Sequence, residues 1–230
     1  MNLPSHNPYT FKGSDPFGSH AQIADLVKTY NAKKILDVGC NDGFIGRSLE
    51  ASGWKGSLVG IDIMPEMKRI VGKFGYKDFI KVDLETELNK VKGRYDGIVF
   101  GDILEHVTNS EEVLTHMRRL LTPGGICIIT LPNVANIYIR LQLLLGKFDY
   151  TDRGILDQDH KHLYTKKSAI ELIKNCGMGV LRYESTPIPL PLVSPVFRKG
   201  AVMFPAYELF YKISRLRPTV FGFQHLLVCR

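Results

Sequence analysis

No two cysteines stand as a CxxC pair: Cys40, Cys127, Cys176 and Cys229 are scattered along the chain. That spacing argues against zinc or a disulfide framework and fits a reducing cytoplasm. No apolar run approaches the ~18 residues that a membrane span needs, and there is no internal repeat or low-complexity tract. The opening MNLPSHNPYTFKGSD has neither a basic cap nor an apolar core, so no signal peptide is expected. Acid is scarce towards the C-terminal end. From Arg182 onward seven Lys/Arg face two Asp/Glu, which puts +5 of the formal charge of +7 there. A diffuse nucleic-acid-binding surface would spread its charge more widely, so nucleic acid is not expected as a partner.

What is present is ordinary globular composition, 44% hydrophobic and 23% charged, in a length that suits one large α/β domain over 1–230. KKILDV, SLVGIDI, DFIKVD, YDGIVF and GGICIITLP read as short buried strands, with helically spaced segments between them. SHAQIADLVKTY precedes the first strand, and Pro65 sits where a first helical turn would begin. NSEEVLTHMRRLL starts with an Asn109…Glu112 arrangement resembling a capping box and stops at the breaker TPGG. This alternation predicts a Rossmann-like, doubly wound sheet.

After the fifth strand the rhythm breaks at a 133–165 insertion; then a helix, KKSAIELIKNC, and a strand, GVLRYESTP, resume it. FPAYELFYKISRL and FGFQHLLVCR read as a last helix and a closing strand. In the insertion, Val134, Ile137, Leu141 and Leu144 follow one helical stripe, with Ile139 and Leu143 outside it. A helix apolar on so much of its circumference suits a lid. The proline-rich 187–204 loop, apolar and basic, is open to three readings: a border of the acceptor pocket, a peripheral membrane contact or a subunit contact.

ILDVGCNDGFIG, residues 35–46, follows a strand and opens a helix, so its amides face a ligand at the strand's C-terminal edge. Gly39 and Gly43 allow close backbone approach, and Asp62 lies where ribose hydroxyls would be held. A dinucleotide and S-adenosylmethionine both use such a turn. Asn41 occupies the second glycine position of the dinucleotide pattern, and Asp37, Asp62, Asp83 and Asp102 all reach strand ends. So many carboxylates suit a sulfonium and an ammonium better than a pyrophosphate.

LDVGCNDG, GIDIMPE, KVDLE, YDGIVFGDILEHV and LLTPGGICIITLPN resemble, in order, the motifs of class I S-adenosylmethionine-dependent methyltransferases, over roughly residues 20–180. The resemblance implies seven strands, mostly parallel with the last antiparallel. It implies that Asp37, Gly39, Asn41 and Gly43 line the methionine end, that Asp62 with Ile63 holds the ribose, that Asp83 with Leu84 reads the adenine, and that Asp102 reaches the cleft. Asn41 departs from the family, which usually has glycine there. The PN…RLQLLLG stretch and the LDQDHKHLYT segment are similar to the broad ubiquinone-type group. A methionine-biosynthesis protein with a similar stretch opens a non-enzymatic alternative, partner binding without turnover.

GDILEH replaces the Asn/Asp-Pro-Pro-aromatic element of base methyltransferases, so a hydroxyl acceptor on a small molecule or glycan is expected. A hydroxyl must lose a proton, and histidine is the usual base near neutral pH. His160, His162 and His106 are the candidates; in an extended segment His160 and His162 share a face. Asp102, Glu105 and His106 are spaced to share one side of a helical turn. With His160 they resemble the metal-binding pattern of small-RNA 2′-O-methyltransferases. A divalent ion on these four residues is kept as an alternative and is not favoured.

Overall fold

The computed structural model describes residues 15–189 and 204–230. Most of the 187–204 loop therefore lies outside the described residues. β1 (Lys34–Val38) is buried at every position after Lys34. It lies between β2 (Ser57–Asp62) and β4 (Tyr95–Gly101), parallel to both. A strand covered on both faces sends alternate side chains to two cores. Leu36 and Val38 enter one, together with Ile98, Phe100, Cys127, Ile129 and Leu227. Ile35 enters the other with Val99, Ile126, Ile128 and Val228.

β3 (Tyr76–Lys81), β5 (Leu121–Pro132), β6 (Val180–Thr186) and β7 (Gln224–Cys229) complete a seven-stranded sheet of order β3-β2-β1-β4-β5-β7-β6. β7 is antiparallel to both neighbours, as expected of the last strand. α1 (Ser19–Thr29) and α2 (Phe44–Ala51) cover one face, and α3 (Ser110–Arg118) and α5 (Lys166–Asn175) the other. α4 (Ile137–Leu144) lies in the insertion; α6 (Phe204–Leu216) and the short α7 (Pro218–Phe221) precede β7. The strand order reverses between β1 and β4, which opens a crevice at their C-terminal ends.

Several local expectations shift. Pro65 does open a helical turn, which is the 3-10 helix Pro65–Ile70. α3 ends at Arg118, ahead of the breaker TPGG, and TPGG itself lies inside β5, where the pairing slips from Tyr95↔Leu121 to Gly97↔Ile126. β3 ends at Lys81, so Asp83 stands two residues beyond the strand. Asn109 does cap α3, accepting from the Glu112 amide at 3.1 Å. Thr165 and Ser168 form a reciprocal capping box at the start of α5. The insertion helix is short, and its buried member is Ile139, 3% exposed, which the predicted stripe left out. Leu141 and Leu144, on that stripe, are exposed.

Beneath the glycine turn, the Tyr76 hydroxyl donates to the buried carboxylate of Asp37. Burial raises the Asp37 pKa from the ordinary 3.8 to about 7; the Tyr76 bond opposes the shift and the Asp62 charge adds to it. Between those two pH values the folded chain holds a proton that the unfolded chain has released, so this group's contribution to stability falls as pH rises. Asp37→Asn removes that dependence. We expect the variant to gain on the wild type by on the order of a few kcal/mol from pH 4 to 7, measured by urea unfolding at each pH. Burial also holds His20 and His225 down to about 4, with the opposite sign, and these contributions cancel in the difference. Gly46 is a second test: a Cβ there would meet Tyr76 Cε2 at 2.4 Å and the Phe74 carbonyl at 2.7 Å. Gly46→Ala should cost about 1–3 kcal/mol by the same assay.

Candidate active site

The turn after β1 is fixed by its neighbour strand: the Gly39 and Cys40 amides both donate to the Ile61 carbonyl, at 2.9 and 3.0 Å. Gly39 has φ +72°, and a Cβ on it would lie 2.8 Å from Ile103 Cδ1. Asn41, the departure from the usual glycine, also sits in the left-handed region at φ 42°. Asparagine is among the few residues that tolerate it. Gly43, φ +76°, is the N-cap of α2. The turn keeps a glycine-like path although one glycine is missing.

Asp62 ends β2 with its carboxylate turned to this loop, accepting from the Asn41 amide through Oδ2 and the Met64 amide through Oδ1, each at 3.0 Å. Each oxygen keeps a further lone pair, the chemistry a ribose diol requires. Ile63 beside it is exposed. Asp83 accepts from the Glu85 amide at 2.8 Å, and Leu84 packs against the core edge. Asp37, by contrast, is buried and bonded to Tyr76, so its carboxylate acts from beneath the turn. Gly101, at the end of β4, leaves open space on its cleft side: a Cβ there would meet only Ile45 Cδ1, at 3.8 Å. The carboxylates and this unfilled cradle fit an adenosyl group with a cationic tail.

The loop after β4 is a turn rather than a helix. Asp102 enters it at φ 54°, its amide donating to Thr130 Oγ1 at 2.9 Å and its Oδ2 accepting from Gln224 Nε2 at 2.5 Å. This turns Asp102 aside from the cluster formed by Glu105, His106 and His160, whose donor atoms lie within 4.8 Å of one another. Of the four residues expected together, three meet: Glu105, His106 and His160. Glu105 is fully buried, and among the described residues neither of its carboxylate oxygens has a hydrogen-bond partner. Burial first, then Asp102 and Asp157, push its pKa well up.

The His106 and His160 rings meet edge-on, 4.7 Å between centroids. His106 Nδ1 faces the Asp159 carbonyl at 3.3 Å and His160 Nδ1 the Ile155 carbonyl at 3.1 Å. A carbonyl only accepts, so both Nδ1 atoms carry a proton, and neither Nε2 is bonded by any of the described residues. Burial lowers the His160 pKa, which keeps that ring neutral near pH 7. His162 does not join them: its Nε2 bonds the Thr108 carbonyl at 3.0 Å, and its ring lies against Tyr164. The two histidines share no face because the segment bends, with the Lys161 and His162 amides both donating to the Glu105 carbonyl.

Residues missed in the sequence hold this loop. Lys161 Nζ reaches Glu85 Oε1 and Thr108 Oγ1, each at 2.9 Å, while the Thr108 amide also donates to Glu85. Lys161 pulls the Glu85 pKa down. Gln224 and Thr130, the partners of Asp102, are separated from it by 122 and 28 residues, and nothing local to Asp102 signals either.

Residues 19–182 match the family described as "Methyltransferase domain". Among curated proteins, the ubiquinone biosynthesis O-methyltransferase of Escherichia coli O127:H6 is 31% identical over 108 residues, 45% of this chain and 44% of that protein. That of Dechloromonas aromatica is 30% identical over 106 residues, 44% and 45% of the two chains. The match thus spans less than half the length of these relatives. In fold, a SAM-dependent methyltransferase from Archaeoglobus fulgidus superposes with a TM-score of 0.56 at 17% identity, covering 92% of this chain and 94% of that one. Magnesium protoporphyrin IX methyltransferase from Synechocystis PCC 6803, solved with SAH, gives 0.56 at 15% identity, over 91% and 82%. With the glycine turn, the acid-tipped strands and the reversed last strand, the chain belongs to the methyltransferase-domain family and has the fold of the class I S-adenosylmethionine-dependent methyltransferases.

Proposed function

We propose that this methyltransferase acts on a hydroxyl of a small molecule or glycan, with His160 as the base. The observation that carries the proposal is the open Nε2 of a neutral, half-buried His160 beside His106, in the loop facing the end of β4. S-adenosylmethionine, when bound, supplies an electrophilic methyl group. Asp62 holds the ribose, Gly39, Asn41 and Gly43 shape the methionine end, and Asp83 with Leu84 borders the adenine. His160 Nε2 takes the hydroxyl proton as the oxygen attacks, and the Ile155 carbonyl steadies the ring as it becomes cationic. The ubiquinone-pathway names of the relatives support an oxygen acceptor.

A second reading is favoured by Glu105. A buried carboxylate without partners, next to two imidazoles whose other nitrogens face carbonyls, is a donor set that fits a divalent ion. Glu105, His106 and His160 would hold it, and it would acidify a bound hydroxyl. Asp102, turned to Gln224, is not among those three.

For the cofactor contact, Asp62→Ala should weaken S-adenosylhomocysteine binding about tenfold or more, the cost of losing charge-assisted bonds to the diol. Isothermal titration measures it, and unchanged affinity would remove Asp62 from the ribose. For the chemistry, S-adenosylhomocysteine release is followed against hydroxyl, amine and thiol acceptors. His160→Ala should lower kcat by about 10²–10⁴-fold while sparing cofactor affinity. Turnover with amines alone would overturn the oxygen acceptor; cofactor binding without turnover would favour a partner-binding role. Titration of Mn²⁺ into the wild type and Glu105→Gln decides the ion: heat in the first and none in the second is its signature.

A further inference from the structure

The segment after β5 leaves much apolar side chain in solvent. α4 buries Ile139 alone, while Tyr138, Leu141, Leu144, Leu145, Phe148 and Tyr150 are exposed, Leu144 at 82% and Leu145 at 70%. Single exposed apolar residues are ordinary; a run of them along one short segment is not. Among the described residues no helix is long and apolar enough to cross a membrane, so this face can lie on a bilayer but not span it.

Charge and polarity select the occupant. From Asn133 to Tyr150 a single acid, Asp149, faces two cations, Arg140 and Lys147; both cations are exposed, Arg140 Nε donates to the Ala135 carbonyl at 2.6 Å, and neither forms an ion pair among the described residues. Between Tyr138 and Leu145 the only uncharged polar side chain, apart from the tyrosine hydroxyl, is that of Gln142. A protein interface of useful size carries about one hydrogen bond per 100–200 Å², and this surface offers few groups to make them. Leucines bounded by tyrosine and phenylalanine, with long cations between, match the boundary of acyl chains and headgroups. We propose that α4 and the chain through Tyr150 dock on an anionic lipid surface, leucines at the acyl boundary and Arg140 and Lys147 at the phosphates. The proposal is independent of the acceptor chemistry above.

The test is cosedimentation of the full chain with phosphatidylcholine vesicles and with equimolar phosphatidylcholine–phosphatidylglycerol vesicles, at low and high salt. Wild type should pellet with the anionic vesicles, less so at high salt. Leu144→Ser/Leu145→Ser should lower partitioning about tenfold or more with Tm unchanged. Lys147→Glu should weaken binding to the anionic vesicles about fivefold or more. Wild type remaining in the supernatant would overturn the proposal, as would variants that pellet like wild type. It would also fall if size exclusion showed a dimer that the double variant dissolves, with no vesicle binding, because a second copy would then own the face.

Discussion

One carbonyl sets the shape of the cofactor end. Ile61 O receives both the Gly39 and the Cys40 amide, so the turn after β1 is hung on β2 rather than held by its own residues. That fork explains why Asn41 can replace a glycine: the path is imposed from outside, and asparagine need only tolerate it. The next residue, Asp62, then meets the Asn41 amide. Below the fork, Asp37 and Tyr76 share a buried hydrogen bond that ties β1 to a strand two places away. The turn is therefore rigid through its supports, which is what a preorganised binding loop requires.

The other half of the site is built on the opposite principle. Glu105 is buried with no hydrogen-bond partner among the described residues, and a carboxylate so placed is costly unless protonated or paired. Its raised pKa expresses that cost. Yet the same residue's main-chain carbonyl fastens the insertion by accepting from Lys161 and His162. Position 105 thus combines a structural backbone with a side chain kept from satisfaction, and His106 and His160 sit beside it with Nε2 atoms that no described residue bonds. Polar groups left unsatisfied in this way cluster where a ligand is to arrive.

The sheet was legible because buried strands advertise themselves: ILDV, GIVF and ICII admit little else than a strand covered on both faces. The ordered acids at strand ends were legible for the same reason, since each interrupts an apolar run. What stayed hidden was set by partners far away in sequence. Asp102 looked like a member of a helical trio until Thr130 and Gln224 drew it aside into a left-handed turn. His160 and His162 looked like a pair until the bend at Lys161 separated them. The insertion misled through its composition, because periodicity finds the apolar face of a helix but not whether the domain covers it. There Ile139 is covered and Leu144 is not.

β7 runs between β5 and β6, although it follows both in the chain. During synthesis, therefore, β5 and β6 emerge with facing edges unpaired and the gap between them waiting for residues 224–229. The same late strand brings Gln224, so the partner of Asp102 is translated after everything else that surrounds it. A nascent chain stalled before that point exposes two sheet edges and an incomplete cleft together. A chain cut short before residue 224 would thus lose the closure of the sheet and the Gln224 partner of Asp102 together, while its cofactor loop would already have been made.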